Sequence, residues 1–162
     1  MTERAALVAG STLAAALLCV IGLIGFFQWF GGVDSLSRFA DALFVLAIAP
    51  VAVSALLSSA WVSRWKRFAA GGHLANAARI GLLSYPILWL VLSATIWTWL
   101  QFERHIPPYE RPEGLFEIGL TAGGYTLLAF VIGVLPAIGI EYFVIRFVRK
   151  RRSPALSTGV VS

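Results

Sequence analysis

Gly119–Ile145 reads GLTAGGYTLLAFVIGVLPAIGIEYFVI, an apolar run whose one charged side chain is Glu141. A helix needs roughly 20 predominantly apolar residues to cross about 30 Å of hydrocarbon, and this run exceeds that length. Nothing in it alternates with the period of two that a lipid-facing barrel strand would show. A continuous run of this kind satisfies its backbone in lipid only as a helix.

Working outward, three more runs meet the same test: Ala5–Phe27, Phe39–Val62 and Ile80–Leu100. The composition agrees, with 59% hydrophobic and 13% charged residues in 162, where a soluble domain carries about a quarter charged. Too little chain lies outside the four runs to build a soluble core beside them. The expected fold class is therefore all-α: a polytopic transmembrane protein folded as an antiparallel four-helix bundle. It forms one domain over residues 1–152, and 153–162 are expected to be a disordered cytoplasmic tail. The first run is read as an uncleaved anchor, because it is long and no small-x-small site follows Phe26-Phe27-Gln28-Trp29-Phe30.

The net charge of +5 does not mark a nucleic-acid-binding protein, since the basic residues flank apolar runs instead of forming a basic domain. Ten of the 13 Lys and Arg fall in the N-terminal tip, the second loop and the tail; Arg38, Arg104 and Arg111 fall on the other side. Short loops rich in Lys and Arg stay in the cytoplasm, so both termini are expected there, in a bacterial inner membrane. Aromatic residues follow the same two levels. Trp29, Trp97 and Trp99 mark the outer interface; Trp61, Trp65 and Tyr142 mark the inner one.

Within the spans, the clearest packing signal is the small-residue series Gly119, Gly123, Ala129, Gly133 and Ala137. Such spacing lets helix backbones approach closely. Packing inside the bundle is the first expectation for it, and a partner-binding face the second. The first helix is similarly rich, with Gly10, Ala14, Ala15, Gly22 and Gly25. Pro50, Pro86 and Pro136 each remove a backbone donor, and Gly133 beside Pro136 makes the fourth helix the expected place for a bend.

Glu141 is the polar candidate to watch, because an intramembrane acid is a functional hypothesis by default. No cation lies three or four positions from it, so a partner is expected from the Arg64–Arg79 loop, with headgroup-level solvation as the default. Arg64, Lys66, Arg67 and Arg79, interleaved with Trp61, Trp65 and Phe68, suit contact with anionic lipid headgroups. Asp41 is expected to pair locally with Arg38. In the third loop, His105 stands among Glu103, Glu110, Glu113 and Glu117, without the ligand spacing of a metal site. A stiff, proline-rich connection is the simpler reading.

Several chemistries are disfavoured. A single cysteine, Cys19, forms no internal disulfide and supports no thiol relay. The two histidines, His73 and His105, fall on opposite sides, so one chain cannot clamp a haem between them. No acid lies at mid-membrane, which argues against a single-chain cation-coupled exporter. No residue is assigned to catalysis, and no metal or cofactor is expected.

The expected function is a non-catalytic accessory or assembly subunit of a larger membrane complex. Its partners would be membrane lipids and other membrane subunits, or further copies of itself. Two alternatives remain. One is a small oligomeric transporter or channel with a path along Ser54, Ser58, Ser84, Ser93, Thr95, Thr121, Tyr125 and Thr126. The other is a membrane enzyme acting on lipid-linked substrates at an interface.

Overall fold

The structure, a computed structural model, describes residues 2–30, 40–65, 68, 71–102 and 114–150. It is all-α, and the described residues contain no strand. Helix α1 spans Glu3–Phe30. Helix α2 is built from Ala40–Leu43, a π-turn at Phe44–Ile48 and Ala49–Val62. Helix α3 spans His73–Phe102 and α4 spans Leu115–Lys150. All four are long and apolar enough to cross a membrane, with mean hydropathy of 1.7 to 2.4 over their best windows. The chain is a multi-pass membrane protein.

The helices pack as a closed ring in chain order. Helix α3 packs most extensively on α4, then α2 on α3 and α1 on α2, and α1 closes against α4 over the smallest of the four seams. That is an up-down-up-down four-helix bundle. Every described Arg and Lys lies at one end of it, where α1 and α3 begin and α2 and α4 finish. We call this the basic end. Glu3 in the first turn of α1 and Arg149 and Lys150 in the last turn of α4 carry the signs that offset the helix dipoles.

Two features depart from expectation. Helix α3 begins at His73, a full apolar-run boundary earlier than Ile80. The added segment is amphipathic: Asn76, Ala77 and Ile80 are buried while Leu74 is exposed. Polar residues interrupt a hydropathy run even when the helix turns them inward, so hydropathy alone starts this helix too late.

The other is a backbone irregularity in α2. Helix α4 continues through Pro136 without interruption. In α2, by contrast, the Ala49 N–H reaches back five residues to the Phe44 carbonyl, directly before buried Pro50. Pro50 has no N–H to donate and its ring crowds the preceding turn, and one widened turn accommodates both.

The tightest helix crossings use glycine. A Cβ on Gly81 of α3 would lie 3.0 Å from Ile138 Cγ1, with Ile138 backbone just behind it. A Cβ on Gly10 of α1 would lie 2.9 Å from Val144 Cγ1. Around these crossings, Leu7, Val62, Phe68, Ala77, Ile80 and Ile145 form a buried apolar cluster at the basic end.

Candidate functional site

Glu141 sits above that cluster. Nine residues separate it from the end of α4, a rise of about 14 Å. Its side chain is 5% exposed, so headgroup-level solvation does not describe it. Among the described residues, its partner does not come from the Arg64–Arg79 loop but from α1. Ser11 Oγ of α1, fully buried, donates to Glu141 Oε2 at 2.7 Å. The glycine at position 10 lets α1 approach α4 closely enough for a side chain as short as serine to reach. Chemically, the pair is a carboxyl group held by one hydroxyl inside a helix seam, with no cation in contact among the described residues.

A second polar group lies one layer nearer the basic end. Asn76 is fully buried, and its Nδ2 donates to the Phe68 carbonyl at 2.9 Å and the Gly71 carbonyl at 3.3 Å. Arg149 of α4 reaches the same two acceptors, with Nη2 to Phe68 O at 3.0 Å and Nη1 to Gly71 O at 3.3 Å. Its guanidinium also lies 5.5 Å from the centroid of the Phe68 ring, a cation–π arrangement. Arg79 Nη1 donates to Asn76 Oδ1 at 3.3 Å. The start of α3 and the end of α4 thereby grip the connection between α2 and α3 by its carbonyls. Beside them, His73 meets the Tyr142 ring edge-on.

The other residues singled out from sequence divide. Gly119 and Gly123 form a shallow notch for Trp89, whose indole Nε1 donates to the Gly119 carbonyl at 2.8 Å. Gly133 leaves room for the Tyr85 hydroxyl, and Tyr85 packs edge-on against Phe130. Ala129 is exposed and Ala137 half-buried, so the series is not one continuous contact stripe. Of the basic loop, Arg64 is exposed and Arg79 is half-buried on Asn76, while Lys66 and Arg67 lie outside the described residues. So do His105, Glu103, Glu110, Glu113, Arg38 and the tail; the Asp41 side chain is likewise not described.

The hydroxyls of the proposed polar path do not converge. Ser54, Ser58, Ser84, Ser93 and Thr95 each donate to a carbonyl of their own helix three or four residues back. Thr121 and Tyr125 are exposed on α4. Thr126 Oγ1 is buried with no hydrogen-bond partner. Among the described residues, no three metal-ligating side chains come together.

Sequence reasoning missed Ser11, Asn76 and Arg149 as members of the site. Depth was the available signal. Ser11 lies eight residues in from the start of α1, and Glu141 nine in from the end of α4. In antiparallel neighbours those counts put a donor and an acceptor at one level. No family model, no curated protein and no solved structure matches this chain.

Proposed function

We propose that this chain is a bacterial inner-membrane protein, with both termini cytoplasmic, acting as a non-catalytic accessory or assembly subunit of a larger membrane complex. One observation carries the reading. Among the described residues, every buried polar side chain except Thr126 ends in a bond that ties the bundle to itself. Ser11 holds Glu141, Asn76 and Arg149 hold the α2–α3 connection, and the serines hold their own helices. A transport path or an active site needs convergent polar groups that face a cavity or a substrate instead.

The second half of α1 favours a protein neighbour. Leu17, Ile21 and Ile24 are exposed there, and a Cβ added to Gly22 or Gly25 would meet nothing within 4 Å. Small and large apolar residues so mixed, with no described helix over them, suit close approach by another helix.

The test is a photo-crosslinking residue at Ile21 in native membranes, followed by mild-detergent extraction and native mass spectrometry. A single different polypeptide, crosslinked and present at fixed stoichiometry, is the expected result. A closed homo-oligomer that passes solute in liposomes would overturn the reading in favour of a channel. Orientation is tested separately in a Cys19→Ser background. A cysteine introduced as Pro112→Cys should label with an impermeant maleimide from the periplasm, and one introduced as Arg151→Cys should not. The reverse pattern would invert the topology.

A further inference from the structure

A groove of about 880 Å³ runs along the α1–α4 seam at the basic end, on the outer surface of the bundle. It opens where the ring closes over its smallest helix contact. Its floor is apolar, formed by Ala6 and Gly10 of α1 and by Phe143 and Phe147 of α4. Its mouth carries Arg146 and Lys150, one turn apart on the same face of α4, together with Glu3. From Gly10 to Glu3, and from Phe143 to Lys150, the helices rise about 10 Å. The groove thus descends from the charged end of the helices into their apolar length.

We propose that this groove holds one anionic phospholipid of the surrounding bilayer, with its phosphate between Arg146 and Lys150 and an acyl chain along Ala6, Gly10, Phe143 and Phe147. The volume falls in the range of small-ligand sites. The two cations differ from their neighbour Arg149, whose guanidinium is committed to the Phe68 and Gly71 carbonyls. Arg146 and Lys150 are exposed, at the level where a headgroup would lie beside an apolar floor. Glu3 lies at the same mouth, in the first turn of α1 where an acidic side chain suits the helix N-terminus, and one carboxylate against two cations leaves the mouth net positive. Arg146 and Lys150 remain as a cationic pair one phosphate wide. A zwitterionic lipid fills the floor equally well but leaves that pair without a net counter-charge.

The measurement is native mass spectrometry of the full chain released from nanodiscs of equal parts palmitoyl-oleoyl phosphatidylglycerol and phosphatidylcholine, with folding followed by helicity and elution volume. The wild-type chain is expected to retain one phosphatidylglycerol in preference to phosphatidylcholine. Arg146→Gln/Lys150→Gln should lower that preference about tenfold, while Arg4→Gln, an exposed cation that does not line the groove, leaves it unchanged. Soluble glycerol phosphate should not compete, because the acyl chain supplies part of the binding. Equal retention of the two lipids by the wild type would overturn the proposal, as would an unchanged preference in the folded double variant. Competition by glycerol phosphate would assign the cations to a free phosphate and overturn it too. None of these readouts depends on a protein partner, so failure here and failure of the subunit reading are distinguishable.

Discussion

The two ends of this bundle are held by different means. At the basic end, α1 and α4 are joined by the Ser11–Glu141 bond, and Asn76 and Arg149 grip the α2–α3 connection over a buried apolar cluster. At the other end, the described residues are tied between helices by the Trp89 indole on the Gly119 carbonyl, and a furrow of about 410 Å³ opens between the π-turn and α3 at Val45, Thr95 and Trp99. In lipid, apolar contact between helices gains little over apolar contact with acyl chains. The register of the bundle therefore has to come from close backbone approach and from hydrogen bonds. Both are concentrated at the basic end. Among the described residues, that end carries most of the ties that set the register.

Substitutions test this contrast directly, and the largest effect belongs to the closest crossing. Gly81→Leu drives a side chain into Ile138 and its backbone, and overpacking of this kind costs about 3 kcal/mol. A steric-trap or SDS-unfolding titration in bicelles should report that loss. The matched change at the opposite end is Gly119→Ala, whose Cβ meets Trp89 at an ordinary 4.0 Å. It should cost less than about 0.5 kcal/mol. Equal losses at the two sites would remove the contrast.

Next in size is the grip on the α2–α3 connection. Arg149→Gln removes two charge-assisted bonds and a cation–π contact, and Asn76→Ala strips the same two carbonyls of their other donor. Each single variant should cost about 2 kcal/mol. The two share their acceptors, so a double-mutant cycle should show a coupling of about 1 kcal/mol, whereas distant sites add independently. Additivity would mean that the two side chains act separately. Ser11→Ala comes below them. Interhelical hydrogen bonds in bilayers average about 0.6 kcal/mol, and a loss near 1 kcal/mol is expected for this buried one. Glu141→Gln retains an acceptor for the Ser11 hydroxyl and should be milder than Ser11→Ala in the same assay.

The fold was open to reading from sequence because a span is set by length and apolarity, which no neighbour changes. The four runs, their antiparallel order and the all-α class followed from that alone. The polar site was harder because it depends on which helix faces meet. Glu141 stood out as the one charge in its run, but a serine in an apolar helix gives no comparable signal until helix packing is known. Hydropathy also misread His73–Arg79 as loop, since Asn76 and Arg79 are polar and yet satisfied inside the bundle. Proline marked its helices unequally. Pro136 passes through α4 without a break, and the π-turn stands before Pro50, where sequence offered no glycine to advertise it.

Trp89 supplies the smallest effect and the sharpest separation of the two ends. Its ring is 42% exposed, so most of its area does not fill a protein cavity, and a phenyl ring retains much of the contact with the Gly119–Gly123 notch. The Gly119 carbonyl it binds lies in the first turns of α4, where a helix can also use that oxygen internally. Trp89→Phe therefore removes a supplementary bond without orphaning its acceptor, which should cost about 0.5 kcal/mol. The variant removes one of the six tryptophans and so changes the fluorescence baseline, and unfolding by SDS is therefore read by circular dichroism. Should Trp89→Phe instead destabilise the bundle more than Ser11→Ala, the outer half would be held as firmly as the basic end, and the division of labour between them would fail.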